Sequence, residues 1–438
     1  MAEPKNELKK TLGPFMLWGL GVGYVISGMY FGWNLGLAEG GTLGLGVATF
    51  FIIIMYVTFT FSYTEMACAI PKAGGAFDYA RMGLGKNWGY LAGMAQSIEF
   101  IFAPPAIAAA IGAYFNIFLP DVSIITIAIT SYVIFTLLNI IGVKTAAYFE
   151  LFITILAVVE LLIFSGVSYT AFDFENLKTN ALPNGWGGAF AAIPFAIWFF
   201  LAIEGVANVA EEARNPKKDI LKGFGSAIIT LVVLCILTFT SAVGVAGWEN
   251  VVYPAAGEPA SDSPLPLALR TIVGESHILY HLLITVGLFG LVASFHGIIL
   301  AAGRSTLELG RERYITPFVG KINPKTKTPV NALIVNMFIG ILALLTGKTG
   351  EIITIACFGA LTLYIVSMIS FFSLRKKYPD MERPFRVPLF PYFPTIALVI
   401  SIIAMIAMSV YNLELMLIYF GIVGVGYFVF KWFQRASI

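Results

Sequence analysis

Charge is scarce in this sequence. Of 438 residues only 12% are Asp, Glu, Lys or Arg, and 58% are hydrophobic, with a mean hydropathy of +0.85. A soluble domain carries about 25% charged residues, so an ordinary aqueous fold is excluded. Cysteine is nearly absent too. Cys68, Cys235 and Cys357 lie within or at the end of apolar runs without metal-ligand spacing, which argues against a disulfide framework or zinc site and for buried small hydrophobes. There is no HExxH, no Cys–His pairing, no GxxxxGK[ST] and no soluble catalytic stretch, so an enzyme has no apparatus here and neither a cofactor nor a metal is called for. The period-two alternation of an outer-membrane barrel is missing as well. Met1 to Lys10 are polar and charged with no cleavage signal, and the first apolar run reads as a retained span.

What the chain does have is apolar runs, each long enough to cross ~30 Å of hydrocarbon as a helix. About twelve spans are expected, near 14–36, 43–70, 88–118, 122–142, 146–169, 189–210, 220–247, 277–302, 330–347, 351–374, 392–411 and 413–433. With a cytoplasmic N-terminus, 24 of the 27 basic residues fall inside, including Lys5, Lys9, Lys144, Arg304 and Arg375, leaving Lys178, Arg270 and Lys348 outside. That bias follows the positive-inside rule, places both termini in the cytoplasm and needs no nucleic-acid partner. The expected fold is therefore an all-α integral membrane protein of the cell's inner (plasma) membrane.

Two spans carry helix-weakening residues where freed backbone groups must face protein or a water-lined cavity. In the first, Gly19, Gly21, Gly23, Gly28, Gly32 and Gly36 lie among Tyr24, Ser27, Met29 and Asn34; close packing through small residues explains the spacing equally well. In the sixth, Pro194 precedes Trp198 to Gly205, which sets Glu204 beside a glycine in mid-span. Spans one and six are five apart, as in a transporter built from two five-helix repeats of inverted topology, whose interrupted helices enclose the substrate near the membrane midplane. The boundaries expected are a 1–13 N-terminal segment, repeats at 14–169 and 189–374, accessory helices at 392–433 and a 434–438 tail.

Ionisable groups inside spans are costly and usually face a site. Glu99, Glu160 and Glu204 are such groups, Glu65 and Glu150 sit nearer predicted ends, and no Lys or Arg lies mid-span. A buried carboxylate without a basic partner holds a proton, binds a cation or sits in water. Gln96, Glu99 and Ala103 share a helix face. Trp198 lies about one and a half turns before Glu204 and offers an indole face to an ammonium. The bland alternatives are packing for Trp198, a protonated acid bonded to a neighbouring helix for each glutamate, and a satisfied core histidine for His296.

Four stretches carry a family likeness: Gly21 to Phe31 (GVGYVISGMYF), Ile70 to Gly93 (IPKAGGAFDYARMGLGKNWGYLAG), Trp198 to Lys218 (WFFLAIEGVANVAEEARNPKK) and Arg304 to Ala332. In this order and at this separation they resemble the amino acid-polyamine-organocation superfamily of secondary transporters over nearly the whole chain. Thr11 to Leu37 and Ile98 to Tyr114 are similar to its ethanolamine permease branch. The resemblance implies a LeuT-like core with interrupted helices one and six, in which Ile26, Ser27, Gly28 and Met29 match the unwound part of helix one. It further implies a substrate-stacking role for Trp198, a gate or proton-linked role for Glu204, and a substrate-facing place for Glu99. Where amino-acid transporters of the group show a Gly-x-Gly pair whose amides bind the substrate carboxylate, this chain reads Ile26-Ser27-Gly28. A β-branched residue crowds that niche, and Glu99 repels a carboxylate further. Some proton-coupled relatives carry a lysine in span five, and this span has none.

The function expected is import of a small organic amine, ethanolamine first, by alternating access with proton coupling or exchange. Tyr24, Ile26, Ser27, Gly28, Met29, Gln96, Glu99, Trp198, Phe199, Ile203 and Glu204 are the expected substrate contacts, with Glu99, Glu204 and Glu160 as proton-coupling acids. The expected partners are the cationic amine, the lipid bilayer and protons, with a homodimer left open. A broader amine or amino-acid permease is the alternative, and a membrane solute sensor a distant one.

Overall fold

The computed structural model describes residues 10–72, 74–141 and 146–435. Lys5, Lys9 and Lys144, which contributed to the charge bias, lie outside the described residues. Among the described residues ten helices are long and apolar enough to cross a membrane, and three shorter apolar ones accompany them, Pro14–Val25, Pro264–Val273 and Val330–Leu344. Among the described residues there is no strand, only an isolated bridge between Leu12 and Ala213. All twelve expected segments contain helix, and the first and sixth are interrupted, as expected. The ninth, Val330–Leu344, is shorter than expected, and the first runs on into the second through Trp33–Ala69. That 37-residue helix turns at Gly41, whose φ of 64° and ψ of −171° no β-carbon residue adopts comfortably. The helix Pro264–Val273, in the connection before the eighth span, was not anticipated.

Burial sorts the spans. The apolar windows of the third (Lys86–Asn116), sixth (Ile193–Glu212) and tenth (Thr349–Lys377) spans are 83%, 94% and 89% buried, whereas those of the fourth (Ile124–Ile141) and twelfth (Leu413–Arg435) are 22% and that of the eleventh (Tyr392–Tyr411) is 33%. The first three therefore form the core, and the others face lipid. The third and tenth spans pack most extensively. Gly359 permits it, because a β-carbon there would stand 2.7 Å from the Ala95 carbonyl oxygen and 2.9 Å from the Glu99 nitrogen.

At the end of the bundle where the second span finishes, Glu65 is clamped. Arg375 bonds it through Nε at 2.9 Å and a terminal nitrogen at 2.6 Å, Arg383 Nε stands 3.3 Å away, and the Val387 amide donates at 2.7 Å. On the same side a strap ties the chain's start to the end of the sixth span: Thr11 and Leu12 amides donate to the Glu212 carbonyl at 2.9 and 3.0 Å, and the Arg214 amide returns a bond to Leu12 at 2.9 Å.

Candidate substrate site

The two weakened spans are both broken. The sixth comprises Gly185–Ala191 and Ile193–Trp198, then non-helical backbone over 199–202, then a 3-10 helix Ile203–Glu212. Ala202 sits in the left-handed region at φ 74°, a conformation that costs an alanine about 1–2 kcal/mol. Its amide is turned to donate to Glu99 Oε1 at 3.2 Å. The third span presents Glu99 one turn before Pro104 and Pro105, which leave the Phe100 and Ile101 carbonyls without their helical donors.

In the first span the break lies later than the resemblance implied. Helix Pro14–Val25 is followed by a helical turn, Ser27–Tyr30, so Ile26, Ser27, Gly28 and Met29 are not unwound. The non-helical residues are Phe31, fully extended, and Gly32, at φ 86°. Gly32 is the residue that tolerates a left-handed φ and also clears the Trp198 indole, from which a β-carbon would stand 2.5 Å. Gly28 makes an equally close approach to the Trp198 carbonyl oxygen. The two breaks thus meet, with the Phe31 ring edge-on to Trp198 at 5.3 Å.

At this junction Glu99 and Glu204 are both fully buried close neighbours, Glu99 bonding the amide two residues before Glu204, and among the described residues neither carboxyl forms an ion pair with a Lys or Arg. Glu204 Oε2 accepts from the Tyr364 hydroxyl at 3.0 Å, and Tyr364 and Tyr56 hydroxyls are 3.0 Å apart. Glu99 Oε2, Glu204 Oε1 and Trp198 Nε1 have no partner. Two adjoining carboxyls in a low-dielectric interior cannot both stay ionised without a cation; they share a proton or take up a positive ligand.

Other expected residues divide. Ser27 Oγ is 2.8 Å from Ser294 Oγ, which donates to the Tyr24 carbonyl at 2.6 Å; Ser27 must then donate to Ser294, and it retains acceptor capacity only. Met29 is buried, and its carbonyl accepts from Trp33 Nε1 at 3.1 Å. Gln96 donates to Asn208 at 3.3 Å, one turn toward the Glu65 side. Phe199 stacks on Trp33 at 5.7 Å, a packing role, and Ile203 is buried at the start of the 3-10 helix. Glu160 is elsewhere, accepting from the Tyr30 hydroxyl at 2.6 Å. His296 is satisfied by Asn139 at 3.1 Å, as a core histidine should be.

Sequence reasoning underrated Glu150. Its Oε1 and Thr154 Oγ1, both buried and unpartnered, converge on Gly23, where a β-carbon would stand 2.8 and 2.7 Å from them. Gly297 borders the same spot. The signal was available: a carboxylate and a hydroxyl four residues apart on one helix face, with glycines in the spans that pack against it.

The chain matches the family described as amino acid permease over residues 12–435. It is 26% identical over 385 residues to an uncharacterized transporter of Rhizobium meliloti, covering 85% of this chain and 80% of that protein. To the branched-chain amino acid permease of Bacillus subtilis it is 25% identical over 412 residues, 88% and 85% of the two chains. To the methylthioribose transporter of the same bacterium it is 25% identical over 414 residues, 89% and 87%.

Proposed function

The chain belongs to the amino acid permease family, and we propose, from the acids at its candidate site, that it is the carrier of a small organic amine, ethanolamine first, rather than of an amino acid. It is a multi-pass membrane transporter of the secondary type and not an enzyme. The observation that carries the amine reading is the Glu99–Glu204 carboxyl pair at the meeting of the two helix breaks, with no basic side chain among the described residues ion-paired to it. An ammonium group there replaces the shared proton and gains charge-assisted hydrogen bonds, while Trp198 supplies an aromatic wall. The Ser27 hydroxyl, left as an acceptor, meets the substrate's own hydroxyl.

Support also comes from amides already in use. A substrate carboxylate needs free backbone N–H donors, and four amides here are engaged: Ile26, Met29 and Phe31 donate to Val22, Ile26 and Ser27, and Gly32 to Asn34 Oδ1 at 3.1 Å. The relatives' names span more than one substrate class: one is a branched-chain amino acid permease, another a methylthioribose transporter. The exchange of ammonium for proton at one acid pair makes proton coupling or exchange the natural energetics. The division into inverted repeats at 14–169 and 189–374, cytoplasmic termini and residence in the plasma membrane complete the proposal.

The second reading, a broader amine or amino-acid permease, is favoured by the names of the amino-acid relatives. Proteoliposomes containing only this protein separate the two: labelled ethanolamine should accumulate, and excess unlabelled alanine should not compete. Glu99→Gln should sharply weaken uptake at unchanged expression. Uptake of amino acids but never of ethanolamine overturns the proposal.

A further inference from the structure

Away from the substrate site, the surface formed by the second, sixth and eleventh spans holds a cavity of about 260 Å³, with Val47, Phe51, Trp186, Phe190, Ile403 and Ala404 in its walls. Its depth follows from the chain. Tyr411 ends the eleventh span and Trp186 is the second residue of the sixth span's first helix, so both stand at the same membrane surface. The Tyr411 hydroxyl lies against Gly187, where a β-carbon would be 3.0 Å from it. Trp186 and Tyr411 are both exposed, as interfacial aromatics are. Ala404 is seven residues below Tyr411, about 10 Å into the hydrocarbon at 1.5 Å per residue. The groove therefore reaches from the level of these interfacial aromatics, with Trp186 in its wall, into the apolar half of one leaflet.

Such a space is not left empty or wet. Apart from the Trp186 indole N–H its side chains offer water no partner, and an apolar void of this size forfeits dispersion contacts in proportion to its volume. The occupant that the surrounding medium supplies at that depth is hydrocarbon chain. We propose that this groove is a seat for one acyl chain of a membrane phospholipid, whose headgroup lies at the level of Trp186 and Tyr411.

The seat has a consequence for transport because its walls belong to elements of different kinds. Trp186 and Phe190 are on the half of the sixth span that leads to the break at 199–202, whereas Val47, Phe51, Ile403 and Ala404 are on the second and eleventh spans. A chain filling the groove holds that half-helix against its neighbours, and it favours whichever state keeps the groove open.

The full-length protein in liposomes doped with a phospholipid bearing a photoreactive diazirine in one acyl chain provides the test. Labelling should concentrate on peptides containing Trp186 to Ile193 and Ile400 to Ala404, and it should saturate and be competed by unlabelled phospholipid. Ala404→Phe, which fills the groove, should lower labelling there by about tenfold. Labelling spread evenly over the fourth, eleventh and twelfth spans without saturation overturns the proposal. So does wild-type labelling in the Ala404→Phe protein, or crosslinks to a second copy of the chain in place of lipid. If that variant fails to fold, saturation and competition in the unmutated protein decide alone.

Discussion

Two buried acid sites lie at different depths of the same bundle, and they are opposites. Glu65 is 2% exposed, yet both oxygens of its carboxylate are engaged, by Arg375 in a two-pronged grip and by the Val387 amide, with Arg383 beside them. Arg375 is further held over the Phe390 ring at 3.9 Å. Glu99 and Glu204 are more deeply buried and have one outside donor each, the Ala202 amide and the Tyr364 hydroxyl, with two oxygens left over. A saturated carboxylate among arginines fixes the ends of the second and tenth spans to each other. An under-satisfied pair beside two broken helices is unstable toward anything that brings positive charge. Burial alone does not distinguish a fastening from a site; the count of remaining partners does.

The contrast is broken most violently at Glu65. Glu65→Ala leaves two guanidinium groups facing each other without their anion, and a loss of about 3–5 kcal/mol is expected, read as a lowered melting temperature of purified protein. If the variant is as stable as the parent, the fastening role is wrong. At the other acid site the expected loss is in transport. Glu204→Gln should reduce ethanolamine uptake roughly 10–100-fold, the worth of a charge-assisted hydrogen bond, with folding intact; a drop in stability equal to that of Glu65→Ala would erase the distinction. Ala202→Gly relieves the left-handed strain beside Glu99 and should leave this state more stable by up to about 1 kcal/mol, measured by the same melting experiment. A melting temperature lowered by the glycine would mean the strain is not there.

The smallest effect concerns an acid outside the spans. Asp262, in the connection leading to the eighth span, accepts from the Thr349 hydroxyl at 2.8 Å, and burial pushes its carboxyl up to about 6. Because the folded state holds the proton more tightly than the unfolded chain, Asp262 contributes stability that is full below its ordinary range, near 4, and lost as pH rises through about 6. The parent's melting temperature should fall slightly over that interval, and Asp262→Asn should flatten it. A parent profile already flat there contradicts the assignment.

The helical segments were legible because hydrocarbon admits few alternatives, so apolar length alone locates a span. The acids were legible for the same reason: Glu99 and Glu204 are conspicuous where charge is nearly forbidden. Their meeting at one site came only from the family resemblance, since it depends on how the third span crosses the break of the sixth. The site of the first break was hidden. Six glycines weaken that span about equally in sequence, and only the approach of Trp198 singles out Gly32. Ala202 gave no signal whatever, because nothing about an alanine announces a left-handed conformation imposed by its surroundings. Phe199 was assigned to substrate from its neighbours in sequence, whereas the geometry of the break turns it onto Trp33.

The strap that joins Thr11 and Leu12 to Glu212 makes this early segment a passenger on the C-terminal end of the sixth span. A displacement of that 3-10 helix cannot occur without either dragging residues 11 and 12 or snapping three backbone bonds. A spectroscopic reporter on Thr11 would therefore register the swing of a helix nearly two hundred residues away in sequence, while a bulky fusion at the same end would add drag to the very part that has to move.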